Sequence, residues 1–355
     1  MQFEFFPLRF EFTAREPLFF PPGKAANILR GALGVIFRRI ACVPECEDAR
    51  TCEIRHSCPY ASVFAPVSDG EGPSGLADSP RPFVFRARHL DGHAIQPGQP
   101  FHFDLHVFTL DRDALACFVL AFAALAREGL GPRRGKADLQ RVRRIAVGDV
   151  PEQVLYDGSA RMLADFIEPA SLSLDRVVLP PKKIRVEFLS PTELKHEHRV
   201  IDRPEFPILF GRVRDRIGTL RSLYGQGPLD IDFQGIGLRA ATVRMTRCEG
   251  RRVEADRRSS RTGQTHSIGG FVGVAEYEGE LAEFIPYLEA GRWTGIGRQS
   301  VWGKGEISIW GGPLVVNEDR RPEAAHRGCG GTPSLSIDWE SPVKSSPLRG
   351  LPKTR

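Results

Sequence analysis

No apolar run in this sequence approaches the ~18–20 residues that cross a bilayer, and the opening Met1-Gln2-Phe3-Glu4-Phe5 lacks the basic-then-apolar form of a secretion signal. A cytoplasmic protein with no membrane partner is therefore expected. Charge of one sign is scarce as well: 26% of the 355 residues are charged, yet the formal net charge is +5. So mild a basic bias does not by itself identify a nucleic-acid binder. Cysteine is limited to seven residues, which in a reducing compartment argues against a disulfide framework. No acidic pair stands at the spacing of a two-metal site, so no catalytic metal is expected. Apolar residues are ample at 41%, and the length predicts roughly two domains on a prior of about 100–200 residues each.

The densest chemistry lies in Gly295-Ile296-Gly297-Arg298-Gln299-Ser300-Val301-Trp302-Gly303-Lys304-Gly305. Gly295, Gly297, Gly303 and Gly305 let a ligand approach the backbone, and Arg298 and Lys304 supply charge for phosphates. A dinucleotide or triphosphate cradle is excluded by order. Those loops follow a strand and open a helix, whereas this one follows the helical pattern Leu281–Ala290 and leads into a strand at 305–310. A phosphodiester chain across the end of a sheet fits better. Two arginine-rich clusters, Arg127–Arg144 and Arg239–Arg261, each accompany a glycine-rich loop and favour phosphate contact over a merely solvated face.

Periodicity predicts a strand over Arg9–Glu16 and a helix from Lys24, with Asn27, Arg30 and Arg38 opposite its apolar stripe. A hairpin of Phe83–His89 with Gln99–Leu110, a helix over Ala114–Arg127 capped near Asp111, and a strand over Asp138–Val147 follow. The same order returns in the second half. Ile184–Leu189 reads as strand, Glu205–Tyr224 as helix, Leu238–Cys248 with Phe271–Tyr277 as hairpin, Glu280–Ala290 as helix, and a last strand leaves the glycine loop. A βαββαβ order repeated twice predicts an α+β chain of tandem ferredoxin-like units, the plan of RNA-recognition modules. The expected boundaries are 1–180, with a cysteine-rich insertion at 42–58 and an extra hairpin at 150–180, then 181–312, then a disordered tail at 313–355.

Cys42, Cys46, Cys52 and Cys58, spaced x3, x5 and x5, are numerous enough to surround one structural zinc, and His56 could replace a sulfur. Reduced thiols in a loop are the competing reading.

From Arg258 to Ile307 the sequence resembles the CRISPR-associated RAMP superfamily, and within it the endoribonucleases that cut precursor CRISPR RNA at its repeats. Ser260-Arg261, Gly269-Gly270-Phe271-Val272-Gly273, Tyr277-Glu278-Gly279-Glu280-Leu281 and the glycine loop carry the likeness in order and spacing. Leu29-Arg30-Gly31-Ala32-Leu33-Gly34 and Cys58-Pro59-Tyr60-Ala61-Ser62-Val63-Phe64 add to it. The resemblance implies tandem ferredoxin-like domains that bind CRISPR repeat RNA rather than DNA, and cut it without metal to leave a 2′,3′-cyclic phosphate. Arg30 and Arg261 join the glycine loop as expected RNA contacts. A non-cleaving RNA-binding subunit, assembled with other CRISPR effector proteins, is the alternative.

Such a cleavage needs a base, an acid and positive charge near the phosphate. Relatives commonly keep one histidine near the first helix and another before the glycine loop, whereas this chain has Pro22-Gly23-Lys24 and Thr294-Gly295 there. His56, after the first helix, ranks first for catalysis; His196, His198 and His266 follow, with Lys24 as the phosphate-stabilising cation. His102 and His106 alternate with apolar residues and read as structural, while His89 and His93 flank a turn without further signal.

Overall fold

A computed structural model describes residues 1–43, 46–49, 51–66, 79–197, 199–258 and 265–311. The expected tail at 313–355 lies outside the described residues. No helix among them is long and apolar enough to cross a membrane.

Strand β1 (Gln2–Ala14) buries Leu8, Phe10, Phe12 and Ala14 and leaves Arg9, Glu11 and Thr13 half-buried. That period of two puts one face of the strand on a core. Helix α1 (Ala25–Ala41) presents Leu29, Leu33 and Phe37 to the same core on an i, i+4 stripe. β2 (Phe83–Arg86) and β3 (Pro100–Val107) pair as a hairpin, α2 (Arg112–Glu128) follows, and β4 (Ala137–Arg144) returns beside β1. Asp111 accepts the Ala114 amide at 2.7 Å and starts α2, as its sequence position predicts. The antiparallel order β2-β3-β1-β4 with both helices on one face is ferredoxin-like. A hairpin of Gln153–Asp157 and Met162–Leu163 widens the sheet beyond β4, and Ala170–Ser173 pairs with the start of β1.

The second unit repeats the plan with β5 (Lys183–Thr192), α3 (Phe206–Tyr224), β6 (Arg244–Val253), β7 (Gly270–Glu278), α4 (Ile285–Thr294) and β8 (Ile307–Trp310). Its order is β6-β7-β5-β8, again antiparallel, so the chain holds tandem ferredoxin-like folds. Two local expectations are corrected. Leu238 belongs to a short helix, Phe233–Ala240, because Asp232 accepts the Gly235 amide at 2.9 Å and caps it before the strand begins. The helix expected at Glu280–Ala290 runs later, because Pro286 sits in its first turn, where a missing N–H costs nothing.

The two units share a core at the start of β1. Phe3 and Phe5, from the start of β1, belong to the core of the second unit, and the Phe5 ring lies 5.0 Å from Trp293. The glycine loop closes the joint from the other side. Gly303 has φ +76°, and a Cβ there would stand 2.5 Å from the Cβ of Ala26 on α1. Gly303→Ala is therefore expected to destabilise the protein by about 1–2 kcal/mol from the left-handed backbone alone, and further by pushing the loop off α1. Gly31→Ala, mid-helix with nothing within 4 Å, is expected to stabilise by about 0.8–1 kcal/mol. Thermal unfolding of the two variants, one below and one above the parent, is the check; equal midpoints would mean the loop does not bear on the helix.

Candidate nucleic-acid interface

A helix end leaves carbonyls without intrahelical partners. At the end of α4 three of them are taken by side chains from elsewhere. Arg86 of β2 donates to the Arg292 carbonyl at 3.1 Å, His106 of β3 donates Nδ1–H to that of Trp293 at 2.9 Å, and Arg216 of α3 donates to that of Thr294 at 2.8 Å. Two of these donors come from the first unit. The glycine loop thus leaves a helix end pinned to both. Its own return is pinned by the Ile296 amide to the Gly305 carbonyl, 2.9 Å, and the Gly305 amide to Pro191, 3.1 Å. A Cβ at Gly305 would stand 1.9 Å from the Ile296 carbonyl oxygen, so only glycine lets the two arms close.

On one flank of this loop lies a cleft of about 820 Å³, walled by residues 297–302, by α3 and by Ser79–Arg81. Arg81, Lys195, Arg212, Arg216 and Arg298 line it, against Glu193, Glu197 and Asp215. Arg298 pairs with Glu193 at 2.9 Å on the rim. Arg216 is different. Burial pulls its guanidinium down to about 10, and the neighbouring Arg86 cation adds to the effect. An anion in the cleft would relieve both, which suits a phosphate better than a neutral ligand.

Residues 186–307 match the family model of the CRISPR-associated endoribonuclease Cas6. The second unit is thus similar to Cas6. Residues 3–166 match the AF_1859 N-terminal domain model, so each ferredoxin-like unit has its own match. Among solved structures, Thermus thermophilus Cas6 (TTHB231) is 13% identical with a TM-score of 0.46, covering 87% of this chain and 99% of its own. The Cas6 (TTHA0078) product complex is 17% identical with a TM-score of 0.47, covering 87% and 100%. A partial Cas6-RT-Cas1–Cas2 complex is 10% identical with a TM-score of 0.49, covering 86% and 46%. None of these assigns a residue here. No curated protein matches the sequence.

Across the two units, the residues singled out in the sequence separate. Arg298 reaches the cleft, but Lys304 and Arg30 do not present themselves to a ligand. Lys304 is 6% exposed, its pKa lowered by burial against the raising effect of Asp91, with the Lys24 cation adding to the fall. The Arg30 guanidinium lies 4.4 Å from the centre of the Trp302 ring and 5.1 Å from Phe64, a desolvated cation–π clamp worth about 2 kcal/mol. Both expectations of phosphate contact are corrected: these cations hold the loop to the first unit. Gly295 and Gly303 face atoms of the first unit, Arg86 and Ala26, while Gly297 and Gly305 face backbone of the second, at Glu193 and Ile296. Arg261 and His198 lie outside the described residues. His266 falls on the short strand Thr265–Ser267, opposite Arg257.

The proposed catalytic pair is also divided. Lys24 precedes the first turn of α1, while His56 lies two residues before Cys58, whose thiol is 3.8 Å from the Ala41 carbonyl at the last turn. Seventeen residues of helix put about 25 Å between them, too far to share one phosphate. His196 is exposed on the short strand Leu194–His196, whose neighbours Lys195 and Glu197 face the cleft, so the period of two turns His196 away from it.

The arginine clusters lose much of their charge to carboxylates, some across the strands and some on the same strand. Arg143 pairs with Glu11 and Glu152, Lys136 with Glu16, Arg239 with Glu283, Arg247 with Glu249 and Glu276, and Arg252 with Asp202 and Glu254. Linear counting of arginines could not see those partners. Of the cysteines, Cys46 lies within hydrogen-bond reach of Cys42 and Cys52, which with burial pushes its thiol up to about 12. Cys58 is buried, with its thiol toward Ala41. Among the described residues no three or more His, Cys, Asp or Glu side chains stand as a metal site.

Arg216→Ala and Arg298→Ala together are expected to weaken RNA affinity for every sequence tested, each lost phosphate contact flattening the salt slope by about 0.7 for single-stranded RNA. Lys304→Ala is expected to lower the unfolding temperature instead. Unchanged affinity in the Arg216/Arg298 pair would remove the cleft from the interface.

Proposed function

We propose that this protein is an endoribonuclease that binds CRISPR repeat RNA and cuts it within the repeat, the RNA's own 2′-hydroxyl attacking the adjacent phosphate. The observation that carries the reading is the arginine-lined cleft beside the glycine loop of the unit that matches the Cas6 model. The desolvated guanidinium of Arg216 supports an anion there, and the pinned loop supplies a rigid wall. A fixed cationic wall lowers the cost of charge that develops on phosphate oxygens, since it needs no reorganisation during the reaction.

In this reading the 2′-oxygen bonds to phosphorus as the bond to the 5′-oxygen breaks, giving a 2′,3′-cyclic phosphate and a free 5′-hydroxyl. The proton lost by the nucleophile is balanced by one gained by the leaving oxygen, and no metal is called on. Neither outer sheet face offers a better RNA platform. That of the first unit is covered at Arg86, Asp104 and His106, and that of the second carries the row Arg247, Glu276, Arg185 and Trp310, with one aromatic and a carboxylate in it.

The test is cleavage of a CRISPR repeat RNA in EDTA, with and without a 2′-deoxy substitution at the scissile nucleotide. Cutting in EDTA, lost on the 2′-deoxy RNA while binding persists, is expected. Cutting that stops in EDTA with the fold intact, or continues on the 2′-deoxy RNA, would reject the mechanism. Binding with no cutting of any repeat RNA would favour a non-cleaving subunit. Metal analysis of anaerobically purified protein belongs beside it: the zinc proposal expects one zinc per chain, and a metal-free protein would reduce the cysteine loop to a cluster of thiols.

A further inference from the structure

The arginine-lined cleft contains an indole that phosphate contact alone does not use. Among the described residues that line it, Trp302 is the one aromatic, and Pro80 and Val301 add apolar wall. The backbone under the ring is fixed. Trp302 closes the short turn Ser300–Trp302, which is entered through Gln299 at φ +64° and left through Gly303 at φ +76°. The Trp302 amide donates to the Gln299 carbonyl and the Gly303 amide to that of Ser300, each at 2.9 Å.

The ring is fixed as well. Arg30 of α1 lays its guanidinium over one face of the indole, 4.4 Å from the centre, and is itself enclosed by the Phe64 ring at 5.1 Å and by Gly34, where a Cβ would stand 3.1 Å from its Nη1. One face of the indole is therefore taken by the first unit. Trp302 is nonetheless only half-buried and still lines the cleft, so its remaining surface is what the cleft is offered. A ring held in this way loses little freedom when a ligand covers it.

The cleft holds about 820 Å³, within the range of pockets that enclose ligands of nucleotide size. Its occupant has to satisfy two unlike features, the desolvated cation of Arg216 and an apolar aromatic surface. An inorganic anion would leave the indole in water, and a neutral apolar ligand would leave the cation without a partner. A nucleotide whose base is unpaired brings both an anionic phosphate and a π face, whereas the bases of a duplex are already stacked on one another.

We propose that Trp302 is a stacking platform for one unpaired base of the RNA, with Arg30 as the positioning residue that fixes the plane of the ring from its other face. The inference rests on the reading of the cleft as the RNA interface. Because every base has a π face, the contact adds affinity with little dependence on sequence.

The experiment measures binding of the full-length protein to a labelled CRISPR repeat RNA and to a set of the same RNA in which each nucleotide in turn is abasic. With the parent protein, one abasic position is expected to weaken binding by about 5- to 150-fold, and Trp302→Leu is expected to lose a similar factor on the unmodified RNA. On the RNA abasic at that position Trp302→Leu is expected to lose nothing further, since both changes remove one contact. Its salt dependence is expected to keep the parental slope, because no phosphate contact is lost. Trp302→Phe, which keeps a ring for Arg30 and for the base, is expected to recover most of the affinity while losing the quenching of tryptophan emission that RNA causes in the parent. That last arm reads the contact even where Trp302→Leu does not fold. Equal quenching in the parent and Trp302→Phe, no abasic position that weakens binding, or losses that add in Trp302→Leu would overturn the platform and leave the cationic cleft standing. A flattened salt slope in Trp302→Leu would likewise reduce the indole to a tie between loop and helix. A parent that binds no repeat RNA would overturn the interface reading, and the platform with it.

Discussion

The arrangement depends on the capture of the last carbonyls of α4. A helix C-terminus carries partial negative charge and orphan acceptors, and here Arg86, His106 and Arg216 satisfy them from three other elements. Because two of those donors stand on the sheet of the first unit, the capture also sets where that sheet meets the second unit. The glycine loop begins at the next residue, so its direction is inherited from the cap. The Arg30–Trp302 stack and the close approach of Gly303 to Ala26 then press its far end against α1.

This constraint explains a division of labour among the cations. Those nearest the loop's turn, Arg30 and Lys304, are consumed in holding it and are buried. Those one layer out, Arg298 on the rim and Arg216 on α3, line the cleft. A half-buried guanidinium with a second cation nearby is costly unless something negative is supplied, and the first unit supplies Arg86 rather than a carboxylate at that point. The joint therefore holds positive charge in reserve on the cleft flank, while the opposite flank, where Arg88 meets Glu306 and Lys24 meets Asp256, is balanced and hydrogen-bonded. One loop thus separates an anion-seeking surface from a compact polar cluster.

The sequence by itself determined the repeated βαββαβ order, because alternation in strands such as Leu8–Ala14 and i, i+4 stripes such as Leu29, Leu33 and Phe37 are local consequences of backbone geometry. It determined the Asp111 cap and the special character of the glycine loop for the same reason. Only the tertiary structure decided what the loop's residues touch. Lys304 and Arg30 read as free cations because groups that cover them, Asp91 beside Lys304 and Trp302 over Arg30, lie more than two hundred residues away, and the arginine clusters read as bare charge because carboxylates such as Glu11 for Arg143 and Glu276 for Arg247 lie on neighbouring strands. His56 and Lys24, given roles in one cleavage from the sequence, are parted by a helix of seventeen residues, about 25 Å long in space. Trp302, given no role from the sequence, acquired a covered face and a place in the cleft only when α1 brought Arg30 against its ring.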